Sequence, residues 1–547
     1  MRKISFFFSF LIVVTSSACT NNEKVDLILK NANIYTVDSA FSKAEALAIK
    51  QGKIVAVGTN NEITAKYTAN QTIDLNGKFV YPGFIDAHAH FFGYGKGIQT
   101  EAPLYDTQSE KQILSLLEDF QKEKQNDWII GRGWDQNDWP TAKFPTKKGL
   151  DKSFPDIPVY LIRIDGHAAW VNSKALELAG INAKTKINGG EIVLKNGEPT
   201  GILIDNAMGL VRNLIPDPDK YAKMKALKAA EENCFAVGLT GVTDAGLSKD
   251  DILLIDSLQK SGDLNIRLNA MLDPSNENFD YFLVQGPYVT EKLSVRTIKI
   301  YADGALGSRG ACMLKPYSDD KGNSGLMIAS ENYYRQICSK ALENNYQVAT
   351  HAIGDSGNRV MLNIYGEFLK GKNDKRWRIE HAQIVAPEDF QLFGNYSIIP
   401  SVQPTHATSD MYWADERVGQ ERIKGGYAYR QLLEENGWIP LGTDFPIEKI
   451  DPLLTFYAAV VRKDLNNYPE NGFQMENALT RIETLKGMTI WAAKAAFEEQ
   501  MKGSIEMGKF ADLVILDQDI MECSGSAIPN TQILYTVVNG NIVYQKE

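Results

Sequence analysis

The histidines of this chain are few, and their placement constrains how it can fold. Only six occur in 547 residues, and four of them, His88, His90, His351 and His381, lie at the ends of short apolar stretches. The stretch before the first pair is entered through a Pro-Gly turn and predicts a buried strand. On a strand, residues i and i+2 face the same side, so the first two imidazoles can point at one place. The spacing favours a fold that brings the ends of several strands together.

A carboxylate ends a further apolar stretch, residues 438–444, at Asp444. Imidazole nitrogens and carboxylate oxygens are the ligands that zinc and similar divalent ions prefer. Taken alone, each histidine is equally well explained as a hydrogen-bonded core residue, and Asp444 as a helix N-cap. Four histidines and one acid at strand ends together predict a metal site.

The middle of the chain alternates strand-like and helix-like segments, which is the pattern of parallel βα units. Strands are predicted at 81–88, 239–245, 264–272, 295–303, 347–353, 376–382, 396–402 and 438–444. Helices are predicted at 333–344, 359–369, 427–435 and 476–497. Eight parallel strands are the number that a closed barrel needs, so we expect an α/β fold, a (β/α)8 TIM-like barrel, over residues 81–502.

Three further regions flank or interrupt this barrel. The interval between the first and second strands is far longer than a usual connection and predicts an insertion at about 100–235 with structure of its own. Residues 25–80 alternate short β-like runs with turns, and the same pattern recurs over 503–547. We expect the two ends to build one small β-sandwich domain.

The N-terminus has the features of a secretion signal. Arg2 and Lys3 precede the apolar run 4–14, and small residues then lead to Cys19. This resembles the lipobox of bacterial lipoproteins, although Ser16 stands where that motif usually has Leu. We expect a signal peptide over 1–18, a lipidated Cys19 and a tether over 19–24, with an ordinary cleaved signal peptide as the alternative.

The resulting expectation is an exported lipoprotein that contacts the membrane only through its lipid anchor. By analogy with lipoprotein sorting, Thr20 after the cysteine favours the periplasmic face of the outer membrane over the inner membrane. The composition, 44% hydrophobic and 23% charged with a formal net charge of -10, is typical of a globular enzyme. No long basic run is present in the sequence, which argues against a nucleic-acid partner.

Several motifs together resemble the amidohydrolase superfamily. They are PGFIDAHAH at 82–90, KIYADG at 299–304, HAIGD at 351–355, IEHAQ at 379–383, GTDFP at 442–446 and GSIEMGKFADLVI at 503–515. The predicted insertion carries GWDQNDW at 133–139 and DGHAAWVNS at 165–173. These two are similar to the amidohydrolase 3, or YtcJ-like, branch, which includes N-substituted formamide deformylases.

The resemblance implies a specific set of metal ligands. They are His88, His90, Lys299, His351, His381 and Asp444. A lysine ammonium would be repelled by metal ions, so the resemblance implies a carbamate on Lys299 that bridges two cations. A surface or salt-bridged Lys299 is the alternative, and a one-metal site would then follow. Zinc is the expected ion, with manganese, iron or nickel as alternatives.

The expected activity is metal-dependent hydrolysis of non-peptide carbon-nitrogen bonds in small amides, such as N-substituted amides or formamides. A bound divalent ion would activate water as hydroxide, and Asp444 would act first as general base and then as acid toward the leaving amine. A dipeptidase or lactonase on the same scaffold is one alternative. A catalytically silent lipoprotein that binds a small molecule is another, and a homodimer is left open.

Residues in loops supply the candidates for substrate binding, because barrel enzymes place function there. They are Asp165, His167 and Trp170 in the insertion, Asp303, Ser308 and Arg309 after the fourth strand, and His406 and Asp410 after the seventh. Arg309 in particular could pair with a substrate carboxylate. A structural role in the loop is the alternative for each of these residues.

Overall fold

The computed structural model describes residues 22–547, so the predicted signal peptide and Cys19 lie outside the described residues. The first strand, Glu23–Lys30, begins inside the segment that was assigned to the tether. Its first two residues already pair in parallel with Tyr67 and Thr68, which explains their extended conformation. Across residues 22–547, none of the helices combines the length and apolarity that a membrane crossing requires.

Seven parallel strands form the central sheet in the order of the chain. They are Phe84–Ala89, Leu239–Leu247, Arg267–Leu272, Leu293–Tyr301, Gln347–Ala352, Arg378–His381 and Ile399–Ser401. Every residue of the first strand is buried, as expected for a parallel sheet that is covered on both faces.

The eighth predicted strand, 438–444, closes the barrel without forming a regular ladder. The Gly442 N–H donates to the Val402 carbonyl at 3.1 Å on one side, and the Ala87 N–H donates to the Leu441 carbonyl at 3.1 Å on the other. Pro440 has no N–H to offer, and a Cβ on Gly442 would lie 2.6 Å from the His88 nitrogen. These constraints make residues 438–444 an irregular strand. With this segment in place between the first and seventh strands, the predicted TIM-like barrel is confirmed.

Helices surround the barrel. They include Phe91–Thr100, Lys220–Ala236, Lys249–Ser261, Glu331–Glu343, Asp355–Leu369, Phe390–Tyr396, Pro404–Asp410, Ala414–Arg422, Tyr429–Asn436 and Pro452–Val461. The single helix predicted over 476–497 is wrong, because the chain forms two short helices, Arg481–Gly487 and Ile490–Ala495. Between them Thr489 has φ −136° and ψ −96°, and its hydroxyl donates to the Leu485 carbonyl at 2.5 Å. The side chain thus competes with the helical hydrogen-bond pattern.

The insertion folds around a six-stranded sheet of its own. Its strands are Ala102–Pro103, Ile129–Trp134, Val159–Arg163, Ala168–Val171, Gly190–Lys195 and Glu198–Asp205, and its longer helices are Glu110–Lys124, Lys147–Ser153 and Ser173–Leu178. One hydrophobic cluster contains Trp134, Trp139 and Trp170, and a separate cluster contains Tyr160 and Leu203. The insertion therefore has its own core.

Two further sheets lie beside the barrel. The first has four strands, Glu23–Lys30, Ala46–Lys50, Lys53–Gly58 and Tyr67–Asp74. The second has six, Asn33–Tyr35, Lys43–Ala44, Phe79–Pro82, Leu513–Leu516, Ile533–Val538 and Asn541–Gln545. Leu27, Leu47, Leu513 and Ile515 share one hydrophobic cluster. The two sheets thus pack together, and the second one combines both ends of the chain.

A buried ion pair connects this sheet domain to the barrel. The Arg267 guanidinium donates to both carboxylate oxygens of Asp512, at 2.5 and 3.1 Å, and the two side chains are 1% and 5% exposed. Arg267 begins the third barrel strand. Asp512 also accepts from the Asn539 backbone N–H at 3.0 Å. A bidentate pair of this kind fixes both partners in one geometry.

The Asp512→Ala variant should be less stable by about 3–5 kcal/mol, because it leaves a buried guanidinium without its partner. Urea denaturation and the apparent Tm would measure the loss. The matched control is Asp119→Ala, which breaks an ion pair with Lys122 whose two side chains are both 74% exposed. The control should change stability by less than about 0.5 kcal/mol. Equal stability of the two variants would contradict the structural role of the buried pair.

Candidate metal centre

Three side chains meet at the mouth of the barrel with metal-ligand spacing. One ligand atom from each of His88, His381 and Asp444 lies within 4.8 Å of the other two, and all three residues are buried. His88 comes from the first barrel strand, His381 ends the sixth, and Asp444 follows the irregular eighth segment. The Asp444 N–H donates to the His88 carbonyl at 2.8 Å, which ties the acid to the first strand.

Hydrogen-bond partners at Nδ1 orient the two histidines of this group. His88 Nδ1 lies 2.5 Å from a carboxylate oxygen of Glu380, and His381 Nδ1 lies 2.7 Å from the Gln403 side-chain oxygen. Glu380 is itself held by the Arg378 guanidinium at 2.6 and 2.8 Å. Each contact leaves the Nε2 atom free for the centre, which is the usual support for a metal-binding imidazole.

Glu380, Arg378 and Gln403 were missed as site residues in the sequence. Glu380 stands within a recognised motif, directly before His381, and Arg378 lies two residues earlier on the same strand. Residues i and i+2 share a face, so an Arg-x-Glu pair in a buried strand was a usable signal of a buried ion pair. Gln403 gave no comparable signal.

His90 and Lys299 lie next to this group. His90 Nε2 is 3.4 Å from Asp444 Oδ1, and Lys299 Nζ is 3.4 Å from His88 Nε2. Lys299 is 1% exposed, and no carboxylate in residues 22–547 lies within 4 Å of its Nζ. The structure thus excludes a surface lysine or an ion pair among these residues. Burial lowers the pKa of Lys299 to about 8, which increases the fraction of neutral amine.

His351 lies at the edge of the centre and outside the group of three. Its ring centroid is 4.6 Å from that of His381, while its Nε2 is 3.4 Å from the Gly304 carbonyl oxygen. The predicted ligands therefore meet at one mouth of the barrel, with His88, His381 and Asp444 in the closest arrangement.

The electrostatics of the centre fit a divalent cation. Burial, together with the charge of Lys299, lowers the pKa of His88 to about 4, so the imidazole is neutral and able to ligate. Burial opposes ionisation of Asp444, but the proximity of His90 and the other histidines lowers the pKa of this carboxyl well below its usual value. Asp444 Oδ1 is buried and has no hydrogen-bond partner within residues 22–547. A cation would satisfy this oxygen.

A cavity of about 160 Å³ lies over the centre. It is lined by metal-centre residues and by side chains of the barrel loops and the insertion, including Asp165, His167, His406 and Asp410 from the predicted substrate set. Lining residues that were not predicted include Asp135, Asp138, Arg163, Tyr301, Gln383, Trp413 and Glu448. The insertion therefore forms one wall of the cavity.

Two of the lining histidines are placed close to the ligand candidates. The ring of His167 lies 4.7 Å from that of His351, and its Nδ1 is 2.7 Å from a carboxylate oxygen of Asp205. The ring of His406 stacks on His381 at 5.7 Å. Both imidazoles therefore belong to the cavity wall next to the metal centre.

Four of the predicted substrate residues are not among those that line the cavity. Trp170 is fully buried in the core of the insertion, 6.1 Å from the ring of Trp134. Asp303 accepts backbone N–H groups of Cys312, Ile353 and Gly354 and so joins two loops. Neither side chain lines the cavity.

The other two residues of this group, Ser308 and Arg309, follow Asp303 in the same loop. The Ser308 hydroxyl donates to the Ala305 carbonyl at 3.4 Å, within the loop itself. Arg309 pairs with Asp319 at 2.8 Å outside the cavity. Because this carboxylate already occupies the guanidinium, Arg309 does not hold a substrate carboxylate in this geometry.

The parallel barrel with a His, His and Asp group at its mouth defines a metal-dependent hydrolase of the barrel type. The pattern of the family described as "Amidohydrolase family" matches residues 71–544. The chain belongs to the amidohydrolase family.

Individual proteins support the same assignment. The chain is 33% identical over 527 residues to "Putative amidohydrolase YtcJ" of Bacillus subtilis (strain 168), covering 94% of this chain and 98% of that protein. It is 28% identical to an N-substituted formamide deformylase of Arthrobacter pascens, covering 95% and 98%. A crystal structure of an uncharacterized metal-dependent hydrolase from Pyrococcus horikoshii OT3 superposes with a TM-score of 0.75 at 28% identity, covering 91% and 99%. The predicted YtcJ-like branch is confirmed.

Replacing Glu380 with Gln should weaken metal binding by about 10–100-fold, because the charge that supports the His88 imidazole is lost. Competition with a chromophoric chelator for Zn²⁺ measures the affinity, and circular dichroism checks that the fold is kept. The control is Glu388→Gln, at an exposed glutamate that pairs with Arg359. An unchanged affinity in Glu380→Gln would show that this carboxylate has no part in the metal site.

Proposed function

We propose that this protein hydrolyses non-peptide carbon-nitrogen bonds of small amides, with N-substituted formamides as the leading substrate class. The observation that carries the proposal is the buried group of His88, His381 and Asp444, of which His381 and Asp444 line the cavity. The similarity to an N-substituted formamide deformylase over most of both chains supports the substrate class.

The six candidate ligands would hold one or two divalent ions, zinc in the first place, with Lys299 as a carbamate if two ions are bound. Such an ion supplies a water of lowered pKa and polarises the carbonyl under attack. Asp444 is placed to hold the attacking water, because its Oδ1 is free of other hydrogen bonds within the described chain. The same carboxylate would pass the proton on to the leaving amine nitrogen.

The cavity wall would orient the amide. His167 is fixed through Nδ1 by Asp205, so its Nε2 has a defined direction. Tyr301 lines the same cavity, and its ring centroid lies 5.5 Å from that of His351. Both side chains would contact the acyl end of a substrate at the metal centre.

Purified protein should carry one or two equivalents of divalent metal and release amine and formate from N-substituted formamides. Exhaustive chelation should abolish this release, and Zn²⁺ or Mn²⁺ should restore it. Elemental analysis and amine detection measure the two quantities. Full activity after chelation would refute the metal-dependent reaction. Preferred turnover of dipeptides or lactones would instead select those alternatives, and absence of all turnover would favour a binding protein.

The Asp444→Asn variant should lose about 10²–10⁴-fold in kcat, because the amide cannot accept the proton of the attacking water. Its metal content should stay close to that of the unchanged protein, which separates proton transfer from metal binding. Asp119→Asn, at an exposed position in the insertion, is the matched control. Unchanged turnover in Asp444→Asn would remove this residue from the reaction.

A further inference from the structure

Three carboxylates of the cavity wall lack a counter-ion. Asp138, Asp410 and Glu448 all line the cavity. Within residues 22–547, no Lys, Arg or His nitrogen lies within 4 Å of any of them, although ion pairs are frequent elsewhere in the same chain. These three charges are therefore available to a ligand.

Two of these carboxylates accept hydrogen bonds through one oxygen, while the other oxygen of each has no partner in the described chain. Asp410 Oδ2 accepts from the Tyr427 hydroxyl at 2.8 Å and from the Gln383 amide at 3.1 Å, while its Oδ1 has no partner in the described chain. Glu448 Oε1 accepts from the Ser409 hydroxyl at 2.6 Å, and its Oε2 is likewise free. Burial raises the pKa of Asp410 to about 7, so the ionised carboxylate is poorly solvated at this position.

The arginines near the cavity are already paired with carboxylates. Arg163 donates to Asp135 and, at 2.6 Å, to Asp165. Arg309 and Arg417 both pair with Asp319. None of these arginines pairs with Asp138, Asp410 or Glu448. An anionic substituent on the substrate would meet repulsion at these carboxylates, whereas a cationic one would be attracted.

A buried imidazole of the same wall also lacks a partner. His406 is 8% exposed, and its Nε2 has no hydrogen bond within residues 22–547. The same atom lies 3.7 Å from Asp444 Oδ2, so the ring stands at the metal centre. Apolar wall is supplied by Leu306, Ile447 and the indole of Trp413. A ligand with an apolar linker and a charged end would match this combination.

We infer that the substrate carries a positive charge in its N-substituent, which Asp410 and Glu448 bind while the acyl group lies at the metal centre. The chemical class is a mono-N-acylated diamine. The inference rests on the proposed function for the position of the acyl group. A formyl group is small, so the substituent must extend from the metal centre into the wider cavity.

Three probes of matched length test the charge preference: N-formyl-3-(trimethylammonio)propylamine, its neutral isostere N-formyl-4,4-dimethylpentylamine, and the anionic N-formyl-4-aminobutanoate. Isothermal titration calorimetry on the full chain gives each Kd, and formate release gives turnover. The cationic probe should bind about tenfold more tightly than the neutral one, and the anionic probe most weakly. Added salt should reduce the preference.

Variants locate the site of this preference. The double variant Asp410→Asn, Glu448→Gln should bind the cationic probe about tenfold less tightly and the neutral probe within about twofold of the unchanged protein. Asp119→Asn is the control for removal of a distant charge. Equal or tighter binding of the neutral probe, or no binding of any probe, overturns the inference. Selective binding of the cation without formate release supports the inference while refuting the proposed reaction.

Discussion

Two backbone hydrogen bonds between the first barrel strand and residues 441–444 hold the metal centre together. The Ala87 N–H donates to Leu441, and the Asp444 N–H donates to the carbonyl of His88. An acid and an imidazole that are distant in sequence are thereby fixed side by side. The approach depends on Gly442, because any side chain there would collide with the backbone of His88. The chemistry of the site thus rests on a close contact between two strands.

Buried guanidinium groups recur around this centre, and each is neutralised by carboxylates. Arg378 pairs with Glu380 behind His88, Arg163 with two acids in the cavity wall, and Arg267 with Asp512 below the barrel. Removing both charges from water costs free energy, and only a well-aligned pair with further hydrogen bonds offsets that cost. In the cavity wall, by contrast, Asp410 and Glu448 have no Lys, Arg or His nitrogen within 4 Å among residues 22–547.

The sequence predicted the barrel well, because buried parallel strands and their terminal histidines follow a simple periodicity. It failed at residues 476–497, where the apolar pattern is helical but the hydroxyl of Thr489 interrupts the helix. The sequence also did not predict that the barrel closes through an irregular strand at 438–444, because the close contact of Gly442 with His88 is a tertiary contact. The local pattern of apolar and polar residues does not predict contacts between distant parts of the chain.

Only the site residues that belong to recognised motifs could be predicted from the sequence. Trp170 and Arg309 sit in recognised or adjacent segments, yet core packing and the partner Asp319 decide their roles. Conversely, Trp413 and Glu448 belong to no motif and reach the cavity through loop geometry. Substrate-binding side chains on loops depend on distances that single-sequence reasoning cannot supply.

The sheet that combines both ends of the chain has a consequence for assembly. Leu513–Leu516 pairs with Phe79–Pro82, and only Gly83 separates that strand from the one that carries His88. The strand that carries His88 is therefore held at its start by a sheet whose other strands include residues from the far end of the described chain. Placement of this imidazole thus draws on segments that are distant in sequence.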